Sequence, residues 1–171
     1  MTIHIGIALY FIKGNMYFGT PSYFHWALVA TDASSWESQP VYTIELKRNS
    51  SITSEFVQSF TSSYLTRSDA FVGVVHLFST IDYTIDSFQS MIHSNFPAQD
   101  SGWRLPGRFG PQGWTCATWI LQILGALRTR GTWTTQQNFE HTYTRVLNLA
   151  HAMRSGGQGQ YQGAVRVIRF E

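Results

Sequence analysis

The sequence predicts an α+β fold, with β-strands in the first half of the chain and, in the second half, a helix that begins at the single cysteine, Cys116. Segments rich in β-branched and aromatic residues fill the first half, amphipathic helical segments follow, and one strand comes last. The 171 residues suit one domain that buries a core without disulfides. Because 43% of the residues are apolar and 15% aromatic, intrinsic disorder is excluded. We therefore expect residues 1–171 to form a single domain.

The first half of the chain is predicted to form strands joined by turns that contain Gly, Pro, Ser and Asn. A serine-rich stretch interrupts them, and we predict a short helix over Ser54–Ser59 within a loop there. The predicted strands are Ile3–Phe11, Tyr23–Thr31, Val41–Lys47 and Asp69–Ser79.

The second half is predicted to be helical up to a final strand, Ala164–Phe170. A first helix is capped by Asp86 and ends near Asn95. A second helix begins at Cys116, and a third ends at Gly156. The apolar positions that define the second helix are Trp119, Ile120, Ile123, Leu124 and Leu127, and those of the third are Phe139, Tyr143, Val146, Leu147 and Ala150.

The segment between the first two helices, residues 97–113, is long and irregular, with three of the five prolines and four glycines. Loops of this length inside a compact domain are commonly functional, so we predict a binding loop rather than a passive connection. Its aromatic and basic side chains are candidate substrate contacts, together with two tryptophans that lie close to His25 and Cys116 in the sequence. They are Trp26, Trp103, Arg104, Arg108, Phe109 and Trp114.

Charge and hydropathy limit the possible partners. Only 13% of residues are charged and the net charge is +2, with the basic residues spread along the chain. This pattern argues against nucleic-acid binding, which needs a clustered basic face. The apolar stretch Ile5–Ile12 is too short for a membrane span and lacks the flanks of a signal peptide, so we expect a cytoplasmic protein. The oligomeric state stays open.

Cys116 is the first candidate catalytic residue. A single cysteine allows no internal disulfide and no four-cysteine zinc site. At the start of a helix, unpaired N–H groups and partial positive charge favour a thiolate and can bind an oxyanion. The alternative is a buried cysteine that fills space on the apolar face of the helix, before Trp119 and Ile120.

His25 is the candidate base. It shares a strand face with Ala27 and Val29, whereas Phe24 and Trp26 point to the other face. An imidazole that projects from a central strand toward a helix start can take the thiol proton and return it to a leaving group. The alternative is a core histidine that is hydrogen-bonded to backbone.

Three more polar residues complete the predicted site. Thr43 and Glu45 share one face of the next strand, and either could orient the imidazole. Glu45 is favoured because its carboxylate would stabilise imidazolium, unless it faces solvent. Gln112 precedes the cysteine by four residues and could donate an N–H to an oxyanion. No histidine pair has metal-ligand spacing and no nucleotide-binding loop is present, so we predict neither a metal nor a cofactor.

Two segments of the chain resemble a known enzyme group. His25 lies in Phe-His-Trp-Ala-Leu, and 91 residues later Cys116 opens a helix in Gly-Trp-Thr-Cys-Ala-Thr-Trp. This order resembles the circularly permuted papain-like thiol enzymes, which include NlpC/P60, lecithin:retinol acyltransferase-like and PPPDE-type proteins. More narrowly, the segments resemble uncharacterised fungal proteins with an HWAL-type strand and a WNCxxW-type helix start.

This resemblance implies an antiparallel sheet packed on the cysteine helix, with Cys116 as nucleophile and His25 as base. It also implies a polar orienting residue on the following strand, here Thr43 or Glu45, where the acyltransferase group has a second histidine. Thr115 stands where asparagine often precedes the cysteine, and its role would be to orient the site.

The implied chemistry is acyl transfer through a thioester, either hydrolysis of an amide, peptide or ester or transfer to an acceptor. The substrate would be a small molecule or a peptide. The alternative is a non-catalytic binding module of the same fold, whose aromatic and arginine-rich loop binds a small molecule or a protein partner. A redox-sensing thiol is a third possibility, although the chain has no second cysteine to resolve it.

Overall fold

The structure is a computed structural model that describes residues 1–15, 17, 19, 21–49, 55–106, 110–111, 113–157 and 159–171. Seven strands and three α-helices are found in this part of the chain. The strands are β1 (Ile3–Ile12), β2 (Tyr23–Thr31), β3 (Val41–Arg48), β4 (Phe56–Ser63), β5 (Phe71–Thr80), β6 (Gln160–Gln162) and β7 (Val165–Arg169). The helices are α1 (Ile85–Asn95), α2 (Cys116–Thr129) and α3 (Phe139–Arg154).

All seven strands belong to one sheet with the order β4-β3-β2-β1-β5-β7-β6. Every neighbouring pair is antiparallel except β5 and β7, which run parallel. The predicted α+β class is therefore confirmed, with a mostly antiparallel sheet and three helices.

The pairing between β2 and β3 is shorter than either strand. Their register runs only from Leu28 opposite Ile44 to Ala30 opposite Tyr42. β2 nevertheless stays paired with β1 as far as Tyr23, and β3 stays paired with β4 as far as Arg48. β2 and β3 therefore separate beyond Leu28, which opens a gap inside the sheet.

Alternation along the strands divides the core between the two faces of the sheet. One face carries the larger cluster, in which Phe24, Trp26 and Leu28 of β2 join the buried residues of all three helices. The opposite face carries a smaller cluster around Trp36, to which Ala27 and Val29 contribute. The predicted division of β2 between two faces is thus confirmed.

The helix starts are fixed by capping side chains. Thr84 caps α1 and Thr115 caps α2, each in a reciprocal capping box, while Asn138 caps α3. The prediction that Asp86 caps α1 is wrong, because Asp86 lies in the first turn of that helix. The predicted starts of α2 and of the last strand agree with the structure to within one residue.

The prediction of a short helix over Ser54–Ser59 is wrong from Phe56 onward, because β4 begins there and pairs with β3 along its whole length; Ser54 itself lies outside the described residues. Phe56 and Phe60, four residues apart, both pack on the larger cluster. A spacing of four fits a helical period and also places both side chains on one face of a strand. The pairing with β3 selects the strand.

β6 is the other strand that the sequence did not predict. It has three residues, two of them exposed, and its hydrogen bonding to β7 rather than any apolar pattern defines it. No helix in the described ranges is long and apolar enough to cross a membrane.

Candidate active site

Cys116 occupies the first position of α2, directly after its cap. The Thr115 hydroxyl accepts the Thr118 N–H at 3.2 Å, and the Thr118 hydroxyl accepts the Thr115 N–H at 2.7 Å. Thr118 is fully buried, so this reciprocal pair anchors the helix start to the core. Among the described residues the N–H groups of Cys116 and Ala117 have no hydrogen-bond acceptor, which leaves them available to an oxyanion.

The thiol of Cys116 lies at the gap between β2 and β3. The Trp26 backbone N–H donates to Cys116 Sγ at 3.5 Å. A backbone donor directed at sulfur stabilises negative charge on it. Cys116 itself is only partly buried, so a substrate can reach the sulfur.

His25 and Glu45 meet across the same gap. His25 Nε2 lies 2.9 Å from Glu45 Oε2, and the other carboxylate oxygen of Glu45 lies 2.8 Å from Lys47 Nζ. The Cys116 side chain lies close enough to the His25 ring to raise the pKa of the imidazole. Because Glu45 holds Nε2, Nδ1 is the nitrogen left for the thiol. The three side chains thus form a chain of contacts from sulfur to imidazole to carboxylate.

Charge within this triad determines the protonation of the imidazole. Burial lowers the pKa of His25, but its hydrogen bonds and charge interactions with Cys116 and Glu45 outweigh burial and raise the pKa to about 9. Burial raises the pKa of Glu45, yet its bonds to His25 and Lys47 bring that pKa below its ordinary value. At neutral pH the site therefore holds an imidazolium next to a carboxylate.

Two tyrosines flank the triad. The Tyr10 ring lies 6.2 Å from the His25 ring, and burial followed by the charge of Glu45 raises the pKa of Tyr10 to about 12. The Tyr143 ring stacks on Trp26 at 5.5 Å. Burial, and then the charge of Cys116, raises the pKa of Tyr143. Both phenols therefore stay protonated and can donate hydrogen bonds.

A cleft of about 1280 Å³ opens over the thiol. Such a volume accommodates a substrate of drug-like size or larger. Its walls come from the last residues of β1 and β3, the first residues of β2, β4 and α2, and one side of α3. Most of the lining is aromatic or aliphatic, including Phe11, Phe24, Trp26, Leu46, Phe56, Trp114, Tyr143 and Leu147.

The structure brings Cys116, His25 and Glu45 together, as the sequence predicted for the nucleophile, the base and one of the two orienting candidates. Thr43, the other candidate, is 4% exposed and pairs with Val29, whereas the imidazole bonds to Glu45. Thr115 is the helix cap rather than a group directed at the imidazole.

The predicted substrate contacts fall into two sets. Trp26 and Trp114 line the cleft, and the Trp114 indole donates to the Ala98 carbonyl at 2.8 Å. Trp103 and Arg104 are not among the described residues that line it. Trp103 packs edge-on against Phe139 with ring centroids 5.5 Å apart, and the Arg104 guanidinium holds the Asp100 carboxylate at 2.7 Å.

A substrate role for Trp103 and Arg104 therefore stays a prediction, without a contact to the cleft. Arg108 and Phe109, the other two loop residues predicted to contact substrate, and Gln112, the predicted oxyanion donor, lie outside the described residues.

Sequence reasoning missed the wall that α3 contributes. Tyr143, Leu147, His151 and Arg154 follow one another at helical spacing and all line the cleft. The sequence signal that could have identified this wall is the stripe of polar and aromatic residues along one face of an amphipathic helix. That pattern alone does not indicate which part of the sheet the stripe faces.

No group of three or more His, Cys, Asp or Glu side chains in the described ranges is arranged to hold a metal ion. No protein-family model matches this chain, and no curated protein or solved structure matches it either. The functional assignment therefore rests on the arrangement of Cys116, His25 and Glu45.

Proposed function

We propose that this protein is a cysteine-dependent acyl-transfer enzyme, a hydrolase or acyltransferase that works through a thioester. The observation that carries the proposal is the chain of contacts from Cys116 through His25 to Glu45, at a helix start that opens into an apolar cleft. Nucleophile, base and orienting carboxylate in hydrogen-bond contact are the arrangement that activates a thiol.

In the first step, the Cys116 thiolate attacks the substrate carbonyl carbon and forms a C–S bond, and the carbonyl electron pair moves onto oxygen. The N–H groups of Cys116 and Ala117 are the donors best placed for that oxyanion. When the intermediate collapses, the bond to the leaving amine or alcohol breaks, and the His25 imidazolium supplies the proton that the leaving group needs.

The second step uses the same histidine as a base. Thioester formation removes the negative charge from sulfur, and that charge is one of the causes that raise the pKa of His25. The pKa therefore falls in the acyl-enzyme, so the imidazole can take a proton from water or from an acceptor. Attack by that oxygen or nitrogen breaks the C–S bond and restores the thiolate.

We also propose that the chain has a permuted papain-like architecture. The support lies in the order of the parts: a histidine on β2, a carboxylate on β3, and then the nucleophile at the start of α2. Glu45 takes the place of the second histidine of the acyltransferase group. Its carboxylate orients the imidazole and stabilises its charge, as an imidazole partner would not.

Trapping of the thioester tests the proposal. The protein is mixed with 4-nitrophenyl acetate, and intact mass before and after hydroxylamine treatment reports a labile acyl group. We expect one acyl group on the wild type, its release by hydroxylamine, and none on Cys116→Ala. Equal acylation of Cys116→Ala would place the reaction on other side chains and would contradict the proposal.

The fold could serve instead as a non-catalytic binding module, and the aromatic lining of the cleft is the observation that favours this second function. A ligand that binds the cleft with equal affinity in wild type and Cys116→Ala, with no acyl-enzyme under any condition, would select the binding module.

A further inference from the structure

We propose that the cleft selects acyl substrates with an apolar body and an anionic group at the end remote from the thiol, and that Arg48 and Arg154 recognise this anion. The inference rests on the proposed acyl-transfer function and specifies its substrate class. It assigns a substrate contact to two exposed arginines that lie outside the loop, whereas the sequence predicted such contacts for Arg104 and Arg108 within it.

The charged side chains that line the cleft are all of positive sign. Apart from Cys116 and the tyrosines, every ionisable side chain that lines it is basic, and no described aspartate or glutamate does. The basic side chains that line the cleft are His25, Lys47, Arg48, His151 and Arg154. A pocket with apolar walls whose charged groups are all positive attracts amphipathic anions.

The two arginines are the cations that remain uncompensated. All ten acidic residues of the chain lie in the described part, and the ion pairs found there are His25–Glu45, Lys47–Glu45 and Arg104–Asp100. Glu45 thus neutralises Lys47 and holds His25, whereas neither Arg48 nor Arg154 has an acidic partner among the described residues. Their charge is available to a ligand.

Aromatic rings hold both guanidinium groups in place. The Arg154 guanidinium lies 3.5 Å from the centroid of the Phe11 ring, and that of Arg48 lies 5.5 Å from the Phe56 ring. Phe11 and Phe56 are themselves part of the cleft lining. A guanidinium stacked on a ring keeps its N–H edge free for a carboxylate or phosphate. The apolar wall and the cation are therefore adjacent elements of one binding surface.

The spacing along α3 sets how far this surface lies from the thiol. Tyr143 stacks on Trp26, whose N–H contacts Cys116, so Tyr143 marks the reactive end. Arg154 follows on the same side of the helix, about 16 Å away at 1.5 Å per residue. Between them, His151 packs edge-on against Phe24 at 4.9 Å.

On the opposite wall, Arg48 follows Glu45 by three residues of β3, about 10 Å along the strand. Along their own elements the two arginines therefore lie roughly 10–16 Å from residues that flank the thiol, and we expect a similar separation between the anionic group of the substrate and the carbonyl that reacts.

Two matched esters test the inference. One is the 4-nitrophenyl half-ester of a long α,ω-dicarboxylic acid, and the other has its free carboxylate capped as a methyl ester. We expect kcat/KM to favour the anionic ester by roughly ten-fold or more at low salt, because hydrogen bonds to charged groups are the strong ones. Added salt should reduce the ratio, since the arginines are exposed.

Substitutions assign the preference to its residues. Arg48→Gln and Arg154→Gln should each lower the ratio of anionic to neutral kcat/KM, and the double variant should bring it close to one. Arg67→Gln is the matched control, because Arg67 also stacks on an aromatic ring, Tyr64 at 5.8 Å, away from the cleft. A ratio near one in the wild type, or an unchanged ratio in the double variant, would overturn the inference.

Binding to Cys116→Ala separates this inference from the proposed function. Dodecanoate and dodecanol are titrated into that variant with and without the two arginine substitutions, and heat is measured. Charge-selective binding that needs the arginines, without any turnover by the wild type, would support anion recognition and reject catalysis. Turnover of both esters with no preference for dodecanoate over dodecanol would support catalysis and reject anion recognition.

Discussion

The backbone N–H of Trp26 and the sulfur of Cys116 lie 3.5 Å apart at the place where β2 and β3 have separated. In an unbroken sheet that N–H would be available to the neighbouring strand. Here it contacts the thiol, and the same opening lets His25 reach Glu45 on β3. The interruption of the sheet and the assembly of the site are therefore one structural feature.

Cys116→Ala should abolish turnover and leave the free energy of unfolding within about 1–2 kcal/mol of the wild type, because only a small, partly buried side chain is shortened. Activity assays and thermal unfolding of the same preparation measure both effects. A variant that fails to fold would indicate a packing role for the cysteine.

Glu45→Gln should reduce activity less than His25→Ala does, and it should lower the pKa of His25 below about 9. The amide can still accept a hydrogen bond from the imidazole but no longer stabilises its charge. NMR titration of the His25 ring together with kcat/KM gives both quantities. If activity and pKa stay unchanged in Glu45→Gln but fall in Thr43→Val, the orienting role belongs to Thr43.

Thr115→Ala should cost about 1 kcal/mol of stability through loss of the cap, and it should also lower activity because Cys116 is the first residue of the capped helix. Thr84→Ala is the matched control, since Thr84 forms the same capping box on α1, which contributes no residue to the cleft. We expect similar shifts in Tm and a loss of kcat/KM in Thr115→Ala alone. Equal activity of the two variants would contradict a positioning role for Thr115.

The strand pattern of the first half and the start of α2 were predictable because apolar periodicity and capping residues are local properties. Cys116 and His25 could be singled out for the same reason: each stands out from an apolar segment. The choice between Thr43 and Glu45 could not be made, because both lie on one face of β3. What separates them is the gap beyond Leu28, which depends on how strands distant in sequence diverge.

The kinds of residue that line the cleft could be predicted from the sequence, but the elements that supply them could not. An aromatic and arginine-rich site was expected on the loop after α1, yet the arginines that line the cleft come from the ends of β3 and α3. Those two element ends are more than a hundred residues apart in the chain. Their proximity follows from the packing of α3 on the sheet, which a hydrophobic stripe does not specify.

His76 makes stability depend on pH away from the site. Burial first, then the charges of His4 and Arg169, lowers its pKa from 6.5 to about 4. A depressed pKa contributes stability that is present in full above pH 6.5 and is lost as the pH falls toward about 4, because the unfolded chain then binds the proton more tightly.

Urea unfolding at about pH 7 and about pH 4 should therefore show a loss of stability in the wild type that is smaller in His76→Gln, where other groups with a lowered pKa, such as Glu45, still contribute. His141→Gln, at an exposed histidine of α3, is the control and should keep the loss. The same pH dependence in His76→Gln would assign it to other groups.

Alkylation of Cys116 by iodoacetamide as a function of pH, followed by intact mass in wild type and His25→Ala, tests the central claim most directly. The single cysteine makes the site of labelling unambiguous. An activated thiolate predicts rapid labelling near about pH 6 that is lost in His25→Ala. Labelling only above about pH 8 in both proteins, or none until the protein unfolds, would contradict the account and identify Cys116 as a structural residue.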